Sequence, residues 1–201
     1  MSIKIPKNEL RFNLAGEVRS ASEGEKLKFS GYAARFDSLS ENLGGFREKI
    51  RIGAFSNAVK TDDVRALFNH NSNYVLGRNS AGTLALREDT AGLWFEVEAP
   101  NTQWARDLHE SVKRGDINQC SFAFVTKKDD WKDEGDTVVR ELIEVGLRDV
   151  SIVTNPAYLQ TSVQARSNDE VFEEYRKLKE PKVDYQFELE KMKLELKGRE
   201  I

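Results

Sequence analysis

Up to residue 154 the chain is written in short alternating runs of apolar and polar residues, most of them closed by glycine, asparagine or aspartate. That pattern restricts it to strand-rich folds, because a period of two buries one face of a strand but not of a helix. Leu27 to Asp37 sets Leu27, Phe29, Gly31 and Ala33 against Tyr32, Ala34 and Phe36, so both faces are partly apolar. A strand of that kind belongs in the middle of a sandwich or barrel. Val64 to His70 places Val64, Ala66, Phe68 and His70 on one face, and Thr83–Arg87 with Leu93–Glu98 reads as a hairpin turning at Glu88–Gly92. Further strands are expected at Gln119–Thr126, Thr137–Val145 and Leu147–Thr154, with the charged segment Lys127–Asp136 as a hairpin loop.

Two helices interrupt the strands. Gly53–Val59 predicts a short one. Thr102–Arg114 predicts a longer one, with Trp104, Leu108 and Val112 at i, i+4 and i+8, Asn101 or Thr102 as its cap and Gly115 as its stop. The expected architecture is therefore a β-rich α+β fold, a barrel or a sandwich with a few helices.

Composition changes once. From Arg166 to Ile201 more than half of the residues are charged, which accounts for a charged fraction of 32% over the 201 residues. We expect a domain over residues 1–166 and a charged tail over 167–201. In the tail Tyr185, Leu189, Met192 and Leu196 fall on one helical face, suited either to docking on a partner or to no structure at all. Lys and Arg number 31 against 34 Asp and Glu, a net charge of −3, which excludes a strongly basic nucleic-acid coat. Met1-Ser2-Ile3-Lys4-Ile5-Pro6 has no apolar leader, and no segment approaches the roughly 18 apolar residues that span a bilayer. With one cysteine no internal disulfide forms, so a protein off the membrane in a reducing compartment is expected.

Three residues can carry chemistry together. His70 ends a strand, where an imidazole can reach into a cleft as a general base or simply bond to backbone. Ser121 alternates with Cys120, Phe122 and Phe124, so its face is the one a substrate backbone can approach, although a lone strand serine is also an ordinary structural residue. Asp149 sits among apolar strand residues and needs a partner, either an arginine or an imidazole. Base, nucleophile and acid in the order His, Ser, Asp are compatible with a serine-hydrolase triad, which is defined by geometry and not by order. His109 lies on the helix and is read as a packing residue. A cysteine hydrolase using Cys120 requires a shifted strand register, and the two histidines lack any close metal-ligand spacing.

Several blocks occur in one order: Gly31-Tyr32-Ala33-Ala34-Arg35-Phe36, Phe68-Asn69-His70, Gly77-Arg78, Arg114-Gly115-Asp116-Ile117 with Cys120-Ser121-Phe122-Ala123-Phe124, and Asp149-Val150-Ser151-Ile152-Val153-Thr154-Asn155-Pro156-Ala157-Tyr158. Over about Lys26 to Thr161 this series resembles the prohead (head maturation) protease family of tailed bacteriophages. The resemblance implies a fold related to the herpesvirus assemblins, with a closed or nearly closed β-barrel core and a few surrounding helices. It implies a serine endopeptidase that cuts scaffold or major capsid protein, and itself, inside the assembling procapsid in the host cytoplasm. It further implies self-association, no cofactor or metal, and neither membrane nor specific nucleic-acid binding. On the family pattern His70 matches the base and Ser121 the nucleophile. Asp149 stands where many members have glutamate, and the herpesvirus relatives use a second histidine there. Cys120 replaces an expected small or apolar residue. A catalytically silent scaffold or capsid-assembly component with the same fold is the competing reading.

Overall fold

A computed structural model describes residues 9–13, 18–23, 26–36, 38–154 and 162–179. The strands are β1 (Glu9–Asn13), β2 (Val18–Glu23), β3 (Lys26–Arg35), β4 (Phe46–Ile50), β5 (Arg65–Phe68), β6 (Asn71–Arg78), β7 (Leu84–Glu88), β8 (Gly92–Ala99), β9 (Gln119–Glu134) and β10 (Thr137–Val153). The helices are α1 (Ala58–Thr61), α2 (Gln103–Arg114) and α3 (Ser162–Lys179).

These strands form two sheets. One runs β1-β9-β10-β5-β6, with β4 added in parallel to the first half of β10, and the other runs β2-β3-β8-β7. The result is the strand-rich α+β architecture expected, but among the described residues no ladder joins the two sheets into a closed barrel. They meet at corners through single backbone bonds, such as Val18 N–H to Asn118 C=O at 3.1 Å. Bulges let each sheet curl around the shared core. In β3 the register slips between Tyr32 and Ala34, so that Ala33 and Ala34 are both buried, and β10 slips at three places between Leu142 and Asp149.

The core lies between the sheets and under α2. Phe29, Leu93, Phe95 and Val97 face Cys120, Phe122, Phe124, Val150 and Ile152, and α2 contributes Ala105, Leu108 and Val112. That helix ends as its sequence requires: Gly115 takes φ +84°, and its N–H returns to Val112 C=O at 3.0 Å. Close packing also explains Gly77. A Cβ there would lie 2.5 Å from Val97 Cγ2 and 2.9 Å from the Thr83 carbonyl, so β6 approaches β8 only because the side chain is absent. Gly77→Ala is expected to cost about 1–3 kcal/mol, measurable as a lowered denaturant midpoint.

Two expectations change. Lys127–Glu134 is not a loop but the continuation of β9, because cross-strand partners satisfy its charges: Asp129 accepts from Arg140 Nε at 2.7 Å, and Lys132 lies 3.7 Å from Glu141. The helix expected at Gly53–Val59 is a series of turns leading into the shorter α1. α3 spans the position 166/167 expected as a boundary, and its Phe172 and Tyr175 are buried against Phe46 and Trp131 of β4 and β9. That face of α3 therefore packs on the sheet. The stripe Tyr185/Leu189/Met192/Leu196 lies outside the described residues.

Candidate active site

Three neighbouring strands, β9, β10 and β5, bring the candidate residues to one level. Ser121 on β9 is directly opposite Ser151 on β10, which is opposite Leu67 on β5. Asp149 lies two residues before Ser151, hence on the same face, away from the buried Val150 and Ile152. The third group comes from the connection that follows β5. His70 does not end a strand as expected; it is the second residue of a two-residue turn joining β5 to β6. Asn69 and His70 both have positive φ, +53° and +54°, the values of a type I′ hairpin turn. Left-handed backbone costs a non-glycine residue about 1–2 kcal/mol, and this turn is held from the β10 side. Asn69 N–H donates to Ile152 C=O at 2.9 Å, its side-chain oxygen accepts from Thr154 N–H at 3.0 Å, and His70 N–H donates to Ser151 Oγ at 3.3 Å.

The turn swings the imidazole back over β10. Nδ1 lies 2.6 Å from Asp149 Oδ1, and Nε2 lies 2.5 Å from Ser121 Oγ. Ser151 Oγ–H also donates to Asp149 Oδ1, at 2.8 Å. One buried hydroxyl thus touches both the backbone of His70 and the carboxylate that faces its ring. Sequence reasoning misses Ser151 and Asn69, whose roles depend on pairings across the sheet. The Asn-His pair before Asn71 was the available signal for Asn69, since asparagine tolerates positive φ.

The other candidates lie elsewhere. His109 Nε2–H donates to Ala21 C=O at 3.1 Å and its ring packs edge-on against Phe29, which is the packing role expected. Glu144, a further carboxylate of β10 that could in principle serve as the acid, accepts through Oε1 from Asn57 Nδ2 at 3.5 Å. Cys120 is fully buried on the core face, and burial pushes its thiol well above the usual range. No register shift carries Cys120 to the imidazole.

Ser121 differs from expectation in one respect. Its face was expected to be open, yet the residue is 0% exposed. β1 lies against it, and the Arg11 carbonyl accepts from Ser121 Oγ–H at 2.9 Å. Arg11 and Glu9 of this strand join Glu48 and Arg140 in a buried ionic cluster, with the partly exposed Asp129 at its edge. Burial would raise the Glu9 carboxyl, but Arg11 and Arg140 outweigh it and hold the group below its ordinary range.

A serine whose hydroxyl meets an imidazole that is itself held by a carboxylate can be deprotonated as it attacks a carbonyl. Residues 15–176 match the family model described as caudovirus prohead serine protease. Among solved structures, the capsid assembly protease of bacteriophage T4, gp21, superposes with a TM-score of 0.50 at 11% identity, over 73% of this chain and 98% of that one. At that identity the likeness concerns the fold. No curated protein sequence matches.

Proposed function

The chain belongs to the caudovirus prohead serine protease family, and on that premise we propose that it is a serine endopeptidase of phage capsid maturation with His70, Ser121 and Asp149 as its catalytic triad. The observation that supports this reading is the unbroken series of contacts from Asp149 Oδ1 through the imidazole to Ser121 Oγ, at 2.6 and 2.5 Å. With its proton on Nδ1, donated to Asp149, His70 offers a bare Nε2 to the serine hydroxyl. As Oγ attacks the scissile carbonyl, Nε2 takes the proton and later gives it to the leaving amine, while Asp149 steadies the imidazolium. Water activated by the same histidine then hydrolyses the acyl-enzyme. Backbone amides stabilise the oxyanion, each worth about 3–4 kcal/mol in comparable enzymes.

The substrates are segments of scaffold or major capsid protein, and of the protease itself, cut inside the procapsid. We read the two sheets as the opened halves of the barrel implied by the family resemblance. The charged segment beyond residue 180 would carry the protease into the shell, through self-association or scaffold contact along Tyr185, Leu189, Met192 and Leu196. The competing reading, an assembly component without activity, is disfavoured by a complete acid–base–nucleophile series. Co-expression with the capsid and scaffold proteins of its phage, followed by terminal sequencing of the particles, separates the two. New termini are expected with the natural chain and none with Ser121→Ala; intact proteins in both would leave the assembly role alone.

A further inference from the structure

The strand that carries Ser121 has two neighbours of different kind. β10 is joined to β9 as a hairpin, whereas β1 comes from the N-terminus and forms the edge of the sheet. β1 also lies before residue 15, where the family match begins. Without it β9 would be an edge strand with the nucleophile on it, and an edge strand accepts an extended peptide by strand addition. β1 is such a peptide. It pairs antiparallel from Glu9 opposite Phe124 to Asn13 opposite Cys120, with Phe12 opposite Ser121.

Arg11 lies at the position of a residue on the acyl side of a scissile bond, with its carbonyl beside the nucleophile and its side chain in a pocket. Its carbonyl oxygen meets Ser121 Oγ at 2.9 Å. Its guanidinium enters a built acidic receptor: Nε and Nη2 donate to the two oxygens of Glu48 at 2.6 and 2.9 Å, and Nη2 also donates to Glu9 at 2.8 Å. Arg11 is 6% exposed and Glu48 3%. β1 supplies Glu9 and Arg11, whose charges cancel. The wall that remains when it leaves is Glu48 and Arg140, both buried, with the partly exposed Asp129 beside them, one negative charge in excess. The buried, forked carboxylate of Glu48 in that wall suits a guanidinium, which it already holds through both oxygens.

We infer that β1 occupies from within the chain the cleft in which the substrate strand binds, that Arg11 marks the position of the residue on the acyl side of the scissile bond, and that Glu48 makes that position selective for arginine. This rests on Ser121 being the nucleophile. The contact is inhibitory in two ways. The single hydroxyl proton donated to the Arg11 carbonyl is not donated to His70 Nε2, and a tethered occupant competes at an effective concentration on the order of millimolar. Cleavage of another chain therefore requires β1 to leave.

The test compares two peptides bearing a fluorogenic amide at the C-terminus: residues Asn8-Glu9-Leu10-Arg11, and the same peptide ending in alanine. The full-length natural chain is expected to cleave the arginine peptide with kcat/KM at least about tenfold higher. Arg11→Ala is expected to raise the rate on that peptide by about tenfold through a lower apparent KM, because the internal competitor has lost its anchor. Glu48→Gln is expected to bring the arginine-to-alanine ratio towards one. Equal kcat/KM for the two peptides, a ratio that needs no variant to fold, overturns the inference. So does a folded Arg11→Ala protein whose rate is unchanged or lower. If either result comes with cleavage that disappears in Ser121→Ala, the triad stands and only the role of β1 falls. Cleavage that persists in Ser121→Ala, or no cleavage by any of the proteins, removes both.

Discussion

Replacing either Ser121 or His70 is expected to lower peptidase turnover by about 10⁶-fold, and replacing both by no more than either alone, because the members of such a unit do not act independently. Ser121→Ala removes one oxygen from a fully buried site and should leave the fold in place. His70 needs more care, since its backbone is left-handed at φ +54° and alanine is strained there. His70→Asn is the better variant, as asparagine tolerates that conformation yet cannot act as the base. Kinetics on an unfolded capsid segment, with circular dichroism melts alongside, separate loss of chemistry from loss of structure. Residual turnover above about a hundredth of the natural rate in a folded His70→Asn protein would mean that another group removes the Ser121 proton.

Asp149→Asn should lower turnover by up to about 10⁴-fold, the cost of the equivalent amide in a serine protease with a full triad. Asp149 Oδ1 accepts from both His70 Nδ1–H and Ser151 Oγ–H, at 2.6 and 2.8 Å. An amide keeps the shape but loses the charge that steadies the imidazolium, and its NH₂ can turn towards Nδ1 and favour the wrong tautomer. KM should change little, since Asp149 is not placed to touch substrate. Ser151→Ala should lose less, because it removes a support of the carboxylate and of the turn and leaves the triad groups themselves. Full activity in Asp149→Asn, with activity lost in Glu144→Gln or His109→Ala, would reassign the third member. The positions of those two residues, against Asn57 and Ala21, argue for no such exchange.

What could be read from sequence follows from how local each signal is. α2 was legible from the spacing of Leu108 and Val112 and from Gly115, all within one segment. The apolar half of β9 was legible for the same reason, through Cys120, Phe122 and Phe124. β6 was not, because Asn71-Ser72-Asn73-Tyr74-Val75 is an exposed edge with no buried face to impose alternation. β1 was hidden more deeply. Its inward residues are Glu9 and Arg11, which look like solvent-facing charges until Glu48 and Arg140, far away in sequence, are brought against them. The same pairing across distance turned Lys127–Glu134 from an apparent loop into strand. Each of His70, Ser121 and Asp149 was a weak candidate alone. Their adjacency comes from the register of β9, β10 and β5 and from a two-residue turn, neither of which periodicity encodes.

The central claim, that Ser121 is a nucleophile activated by His70, is tested most directly by covalent labelling with a fluorophosphonate and mapping of the adduct by peptide mass spectrometry. One adduct is expected per chain, on Ser121, formed by the natural protein and by Cys120→Ala, absent from Ser121→Ala and strongly slowed in His70→Asn. An adduct on another residue, or none on Ser121 in a preparation that cleaves capsid protein, would contradict it.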